Sequence, residues 1–187
     1  VEENLQRQHQ TCRGVSYYAG QAGTDNTPLI ADDTTATNEA DTRDTMVQKI
    51  AGNTFDNASR QCDAKIFIPT SDAKLYALDP NTGQRCQDFG DDGALDLMHN
   101  MPFTQAGYYY STSPPVVAGD VIIVAGAVND NYDVNSPSGV IRAYDVNTGE
   151  LMWNWDSGDP ENTAPFDVND PTQTYKTSSP NSWAIAS

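Results

Sequence analysis

Short bursts of alternating apolar and polar residues recur along this 187-residue chain, and no stretch carries a convincing helical period. Lys65-Ile66-Phe67-Ile68, Leu75-Tyr76-Ala77-Leu78, Val121-Ile122-Ile123-Val124 and Ile141-Arg142-Ala143-Tyr144 each read as strands half buried against a neighbouring sheet. Two of them run on into nearly the same sequence. Leu75-Tyr76-Ala77-Leu78-Asp79-Pro80-Asn81-Thr82-Gly83-Gln84 is echoed, 66 residues later, by Ile141-Arg142-Ala143-Tyr144-Asp145-Val146-Asn147-Thr148-Gly149-Glu150. Ser113-Pro114 and Ser179-Pro180 keep the same offset. In each copy Asp and Asn can hydrogen-bond their own backbone through a turn, and Gly accepts the positive φ a tight reversal needs. The second copy then predicts an aromatic closing strand, Leu151 to Trp155, with Trp153 and Trp155 as structural residues of the unit. The first predicts a weaker one, Arg85 to Phe89.

Repeated antiparallel meanders at a fixed period predict an all-β fold and, within it, a partial β-propeller; a β-sandwich is the alternative. Typical blades take about 40–50 residues, so the longer period leaves roughly 20 for inserted loops. The stretches from Asp91 to Tyr110 and from Gly126 to Gly139 hold that excess. On this reading one blade spans 62–110, a second 111–176, and 177–187 opens a third. Propellers close with about four to eight blades, so the chain reads as 1–187 of one larger propeller domain, cut at both ends. Residues 19–61, rich in Thr, Asn, Asp, Ala and Gly, read as a long surface excursion between strands, with one helical turn near 41–51.

Charge narrows the partners. With 26 acidic against 10 basic residues the net charge is −16, which disfavours nucleic acid because a phosphate backbone needs a basic footprint. The most apolar stretch, Val116 to Val128, is too short and too broken by Gly and Asp to span a bilayer. Cys12, Cys62 and Cys86 form no zinc-type cluster. Cys62 and Cys86 fall in one predicted blade and could pair in an oxidising compartment; three free thiols are the other reading.

The form Ala143-x-Asp145-x-Asn147-Thr148-Gly149-x-x-x-Trp153 resembles the blade signature of the pyrroloquinoline quinone (PQQ) propellers. Non-enzymatic propeller scaffolds carry similar repeats, so this signature bears on fold more than on chemistry. Outside the repeat, His9-Gln10-Thr11-Cys12-Arg13-Gly14-Val15-Ser16-Tyr17-Tyr18 is similar to a segment of the membrane-bound PQQ dehydrogenases of the glucose/quinate/shikimate group. So are Ser111-Thr112-Ser113-Pro114-Pro115 and Ser179-Pro180-Asn181-Ser182-Trp183-Ala184. The resemblance covers most of the chain from His9 onward, apart from 19–61. It implies an eight-bladed quinoprotein propeller with an N-terminal membrane anchor upstream, at the periplasmic face of the bacterial inner membrane. It further implies oxidation of glucose or a related sugar or polyol, with electrons passed to ubiquinone.

PQQ is a planar tricyclic o-quinone with three carboxylates, so its site needs flat apolar walls, cations or donors, and a divalent metal. The resemblance assigns Arg13 to a cofactor carboxylate, which suits a guanidinium fork. It assigns Trp183 to one face of the quinone and Thr112 to a hydroxyl contact, although a turn role beside two prolines fits Thr112 as well. It places a metal ligand at Asp130, an oxygen donor of the kind Ca²⁺ or Mg²⁺ requires. His9 lies four residues before Arg13, on the same strand face, and is a further cofactor candidate. The plain alternatives are a surface arginine, a blade-core tryptophan and a solvated loop carboxylate. Nothing in the chain matches the catalytic Asp base or the Lys that meets the quinone oxygens; both are expected beyond Ser187, so this piece alone is expected to be inactive. Two other readings stand beside this one. A non-catalytic propeller scaffold for protein partners explains the repeats, and a soluble calcium-dependent quinoprotein alcohol dehydrogenase explains the cofactor residues.

Overall fold

The computed structural model describes residues 14–20, 61–102, 104–105, 107–128 and 134–182. His9, Arg13, Asp130, Trp183 and the helical turn expected near 41–51 lie outside them. So do residues 21–60. The described elements are all strands: β1 (Ser16–Tyr18), β2 (Lys65–Pro69), β3 (Lys74–Leu78), β4 (Ala94–Asp96), β5 (Tyr109–Tyr110), β6 (Val116–Ala118), β7 (Val121–Val124), β8 (Ala127–Val128), β9 (Ile141–Asp145) and β10 (Leu151–Trp155).

They form two four-stranded antiparallel meanders, β1-β2-β3-β4 and β6-β7-β9-β10, with β5 and β8 paired as a short ladder of their own. The first sheet draws β1 from one side of residues 19–61 and β2 from the other, so this stretch connects two neighbouring strands. Phe67, Leu75, Ala77, Ile122 and Val124 are fully buried, and the alternation read from the sequence becomes one covered face per strand.

The repeated turn has the same hydrogen bonds twice. Asp79 Oδ1 accepts from the backbone N–H of Asn81 at 2.7 Å and of Thr82 at 3.0 Å. Asp145 Oδ1 accepts from Asn147 at 2.9 Å and Thr148 at 2.8 Å. In each the strand ends are joined by N–H of the Asp to the carbonyl five residues on, at 2.8 Å. Gly83 and Gly149 then take φ of 70° and 77°, where a side chain would be strained.

Two expectations fail, for identifiable reasons. The first closing strand is not Arg85–Phe89. Arg85 bridges to Leu78 and Cys86 N–H donates to Ala77 O at 3.0 Å, but there the chain leaves the edge of β3. Cys86 is tied to Cys62 by a disulfide, and Phe89 is buried against Phe67 with ring centroids 5.2 Å apart. After that excursion Ala94, Leu95 and Asp96 resume the pairing opposite Tyr76, Leu75 and Lys74 as β4. Nor are the strand tryptophans core residues. β10 is an edge strand with a register shift between Leu151 and Trp153, which leaves Trp155 exposed and Trp153 half-buried while Asn154 is buried.

Lys65 reverses the usual rule that lysine stays out of interiors. It begins β2 on the covered face, fully buried, with Nζ 2.7 Å from Cys62 O and 3.3 Å from Asp88 Oδ2. Sequence alternation alone would have placed Ile66 and Ile68 on that face.

Candidate functional site

The residues that precede the first strand of each sheet converge. Pro114, before β6, packs on Gly14, before β1: a Cβ added at Gly14 would stand 3.3 Å from Pro114 Cγ. Ser16 Oγ donates to the carbonyl of Pro115. Ser111 Oγ donates to Ser113 O and to Ala125 O, both at 3.1 Å. The Ser111–Pro115 segment is thereby held by β1, by its own turn and by the connection between β7 and β8.

Thr112 sits in the middle of that segment, 6% exposed, and its Oγ1 has no hydrogen-bond partner. A buried hydroxyl left unpaired costs about 1–3 kcal/mol. Such an atom is an open position for a polar ligand group, and it fits the hydroxyl contact expected for a carboxylate-rich cofactor. Of the five candidate residues Thr112 alone is among those described; Gly14 and Ser182, the chain neighbours of Arg13 and Trp183, also are.

A separate cleft of about 930 Å³ opens between the two sheets, away from Thr112, with Tyr76, Asp96, His99, Arg142, Tyr144 and Tyr175 among its walls. Its floor holds a buried charge that the sequence did not single out. Arg142 on β9 is fully buried; its Nη2 donates to Leu97 O at 2.8 Å and to Tyr109 Oη at 3.1 Å. Its guanidinium lies 5.5 Å, 6.0 Å and 5.8 Å from the ring centroids of Tyr109, Tyr144 and Tyr175. Burial works to lower the Arg142 pKa, but the tyrosine oxygens around it raise it further, so the side chain stays charged. Burial pushes the Tyr144 and Tyr175 hydroxyls up, so both stay protonated. The cleft therefore presents a fixed cation enclosed by aromatic rings at a joint between the sheets. Hydrophobic alternation offered no signal for Arg142, because a cation at a strand centre reads as a solvent-facing residue.

Among the described residues the one close grouping of Cys, His and carboxylates is Cys62, Cys86 and Asp88. The two sulfurs are bonded to each other and Asp88 faces Lys65, so the group serves the fold.

The whole chain, residues 1–187, matches the family model described as the PQQ glucose/ethanol/alcohol dehydrogenase β-propeller domain. The protein belongs to this PQQ propeller family. It is 40% identical over 179 residues to quinoprotein glucose dehydrogenase A of Acinetobacter calcoaceticus, covering 95% of this chain and 19% of that protein. It is 38% identical over 177 residues to a quinate/shikimate dehydrogenase (quinone) of Acinetobacter baylyi, covering 94% and 19%. The quinoprotein glucose dehydrogenase of Escherichia coli K12 matches at 37% over 188 residues, 100% of this chain and 19% of that protein. The chain thus spans about a fifth of the length of these relatives. Its two meanders belong to a PQQ β-propeller domain. Among the described residues no helix is long and apolar enough to cross a membrane.

Proposed function

We propose that this chain is part of a PQQ-dependent, membrane-anchored dehydrogenase that oxidises glucose or a related sugar or polyol in the periplasm and delivers electrons to ubiquinone. One observation carries the cofactor half of that reading: the buried, unpartnered hydroxyl of Thr112, in a segment packed on Gly14, next in the chain to Arg13. When bound, PQQ supplies the hydride acceptor and, with Ca²⁺ or Mg²⁺, the electrophilic centre. Arg13 would hold a cofactor carboxylate, Thr112 would hydrogen-bond a cofactor oxygen, Trp183 would cover one face of the ring system and His9 would approach from the strand bearing Arg13. Asp130 would supply an oxygen to the metal. The proton acceptor for the alcohol belongs to chain beyond Ser187. The segment carrying Thr112 and the residue after Arg13 are in contact through Pro114 and Gly14, so the site would gather contacts from both sheets.

Similarity to a glucose enzyme and to a quinate/shikimate enzyme at nearly equal identity leaves the substrate to be chosen among polyhydroxylated rings. Glucose is the reading proposed. The test is full-length protein reconstituted with PQQ and Ca²⁺ or Mg²⁺, assayed by dye reduction with glucose, other aldoses, quinate and shikimate. Turnover with glucose above the others is expected. Turnover confined to quinate and shikimate would overturn the substrate, and absence of PQQ binding would overturn the whole reading. In the same protein Arg13→Ala should weaken PQQ binding.

A further inference from the structure

The buried charge of Arg142 has no counter-ion. Interior cations are ordinarily matched by a carboxylate, because a lone charge out of water is expensive. Lys65 obeys that rule, with Asp88 at 3.3 Å. Arg142 does not: among the described residues no carboxylate pairs with it. Its bonds go to two neutral oxygens, Leu97 O and Tyr109 Oη, and its Nε has no acceptor at all. Yet this side chain, 1% exposed, borders the cleft of about 930 Å³. Small-molecule sites run to about 300–1,000 Å³. An unmatched cation beside a cavity of that size leaves a place for an anion from solution.

The walls support the same sign. Tyr144 and Tyr175 border the cleft, and both stay protonated, so each hydroxyl can donate to an anion. The wall bearing Tyr175 is fixed from several sides. Its N–H donates to Asn100 O at 3.0 Å, and its ring stacks on Phe166 with centroids 4.8 Å apart. Asn100 Nδ2 in turn holds Asp167 O at 3.0 Å and Gln173 O at 2.8 Å. A wall built before the ligand arrives adds little ordering cost to binding.

The rim has the opposite sign. Lys74 and Arg85 are already matched by Asp96 and Asp92. Asp91, Glu150 and Asp167 also line the cleft, are exposed, and have no cation partner among the described residues. These carboxylates accept hydrogen bonds from hydroxyls and repel a second negative charge.

We propose that the cleft between the sheets binds a hydroxylated monocarboxylate, its carboxylate toward Arg142, Tyr144 and Tyr175 and its hydroxyls toward Asp91, Glu150 and Asp167. The site is separate from the cofactor residues, since Thr112 is not among its walls, and it does not depend on the cofactor reading. That reading supplies two sources of such a ligand. One is an aldonate, formed when water opens the lactone left by oxidation of an aldose. The other is a ring acid such as quinate.

The test is isothermal titration calorimetry of the full-length apoprotein with gluconate, quinate, neutral glucose and the dicarboxylate glucarate. Gluconate or quinate should bind, whichever is tighter naming the source, with glucose and glucarate weaker by about tenfold or more. Tyr144→Phe should raise the Kd of the bound acid about fivefold. Asp167→Asn should narrow the gap between glucarate and gluconate. Arg142→Met should abolish binding; should it fail to fold, the Tyr144 and Asp167 variants decide. Saturating PQQ should leave the acid's affinity unchanged. Glucose binding as tightly as the acids, no binding of either acid, an unaltered Kd in Tyr144→Phe, or displacement of the acid by PQQ would each overturn the site. A protein that binds the acid but no PQQ would overturn the cofactor reading and support this site.

Discussion

Arg142 of the second sheet donates from Nη2 to the main-chain oxygen of Leu97, the residue that follows β4 of the first, at 2.8 Å, and this bond ties a buried charge between the two sheets. The same nitrogen reaches Tyr109 Oη, three tyrosine rings surround the guanidinium, and Nε is left without an acceptor. Truncation would orphan the Leu97 carbonyl and remove the cation from its aromatic enclosure. Arg142→Met in the full-length protein should therefore cost about 2–4 kcal/mol, combining an unpaired buried acceptor with lost cation–π contacts. Arg142→Lys should recover little, because an ammonium cannot reproduce a planar fork. Urea denaturation checks both; a loss below about 0.5 kcal/mol, the range of ordinary surface changes, would show that the joint is not held by this residue.

The Cys62–Cys86 disulfide closes the excursion that displaces the closing strand of the first sheet, across a sequence separation of 24. For a loop of this size the chain-entropy model gives about 3 kcal/mol of stabilisation. Removing both sulfurs as Cys62→Ala with Cys86→Ala should lower stability by roughly that amount. The variant's melting temperature should not depend on added reductant, whereas the parent protein should approach it once reduced. Identical melting of parent and variant in oxidising buffer would contradict the bond's role.

Much of this fold was legible from the chain because two devices are local. Asp79 and Asp145 close their turns within five residues, and Leu75, Ala77, Ile122 and Val124 are buried by simple alternation. The departures all involve partners distant in sequence. Arg85–Phe89 reads as a strand until Cys86 meets Cys62 and Phe89 meets Phe67. Trp155 reads as core until the bulge in β10 turns it outward. Lys65 and Arg142 read as surface cations until Asp88, Leu97 and Tyr109 satisfy them in the interior. For the candidate site, Thr112 was found through family resemblance, and what marks it physically, an unsatisfied hydroxyl, exists only in the folded chain.

Asp96 sets an acid-side dependence with a definite sign. Burial works to raise its pKa, but Lys74 Nζ at 2.9 Å and Met98 N–H hold it below the ordinary value of 3.8. A carboxyl lowered on folding contributes stability that is complete above its unfolded pKa, near 4, and is lost as pH falls through the folded value. Lys74→Met should raise the Asp96 pKa toward the ordinary value and flatten that part of the pH–stability curve. More than a third of each side chain is open to solvent, so the effect should be under about 1 kcal/mol and weaker in salt. A carbon-detected NMR titration of Asp96 in the two proteins reads the shift directly; an unchanged pKa would remove Lys74 as its cause.

Thr112 gives the sharpest contrast between stability and binding. Its buried Oγ1 is unpaired, so in the apoprotein the hydroxyl costs free energy that a methyl of the same shape would not. Thr112→Val should stabilise the cofactor-free protein by about 1 kcal/mol. If that oxygen meets PQQ, the same change should weaken PQQ binding by about 1 kcal/mol, roughly fivefold in Kd. Two melting curves per protein, with and without saturating PQQ, separate the effects, because ligand linkage adds to the apo stability according to affinity. The expected pattern is a higher apo melting temperature and a smaller PQQ-induced rise. A turn-forming role for Thr112 predicts the reverse: replacing a side chain suited to the Ser111–Pro115 turn by valine would lower the apo melting temperature and leave the PQQ-induced rise unchanged.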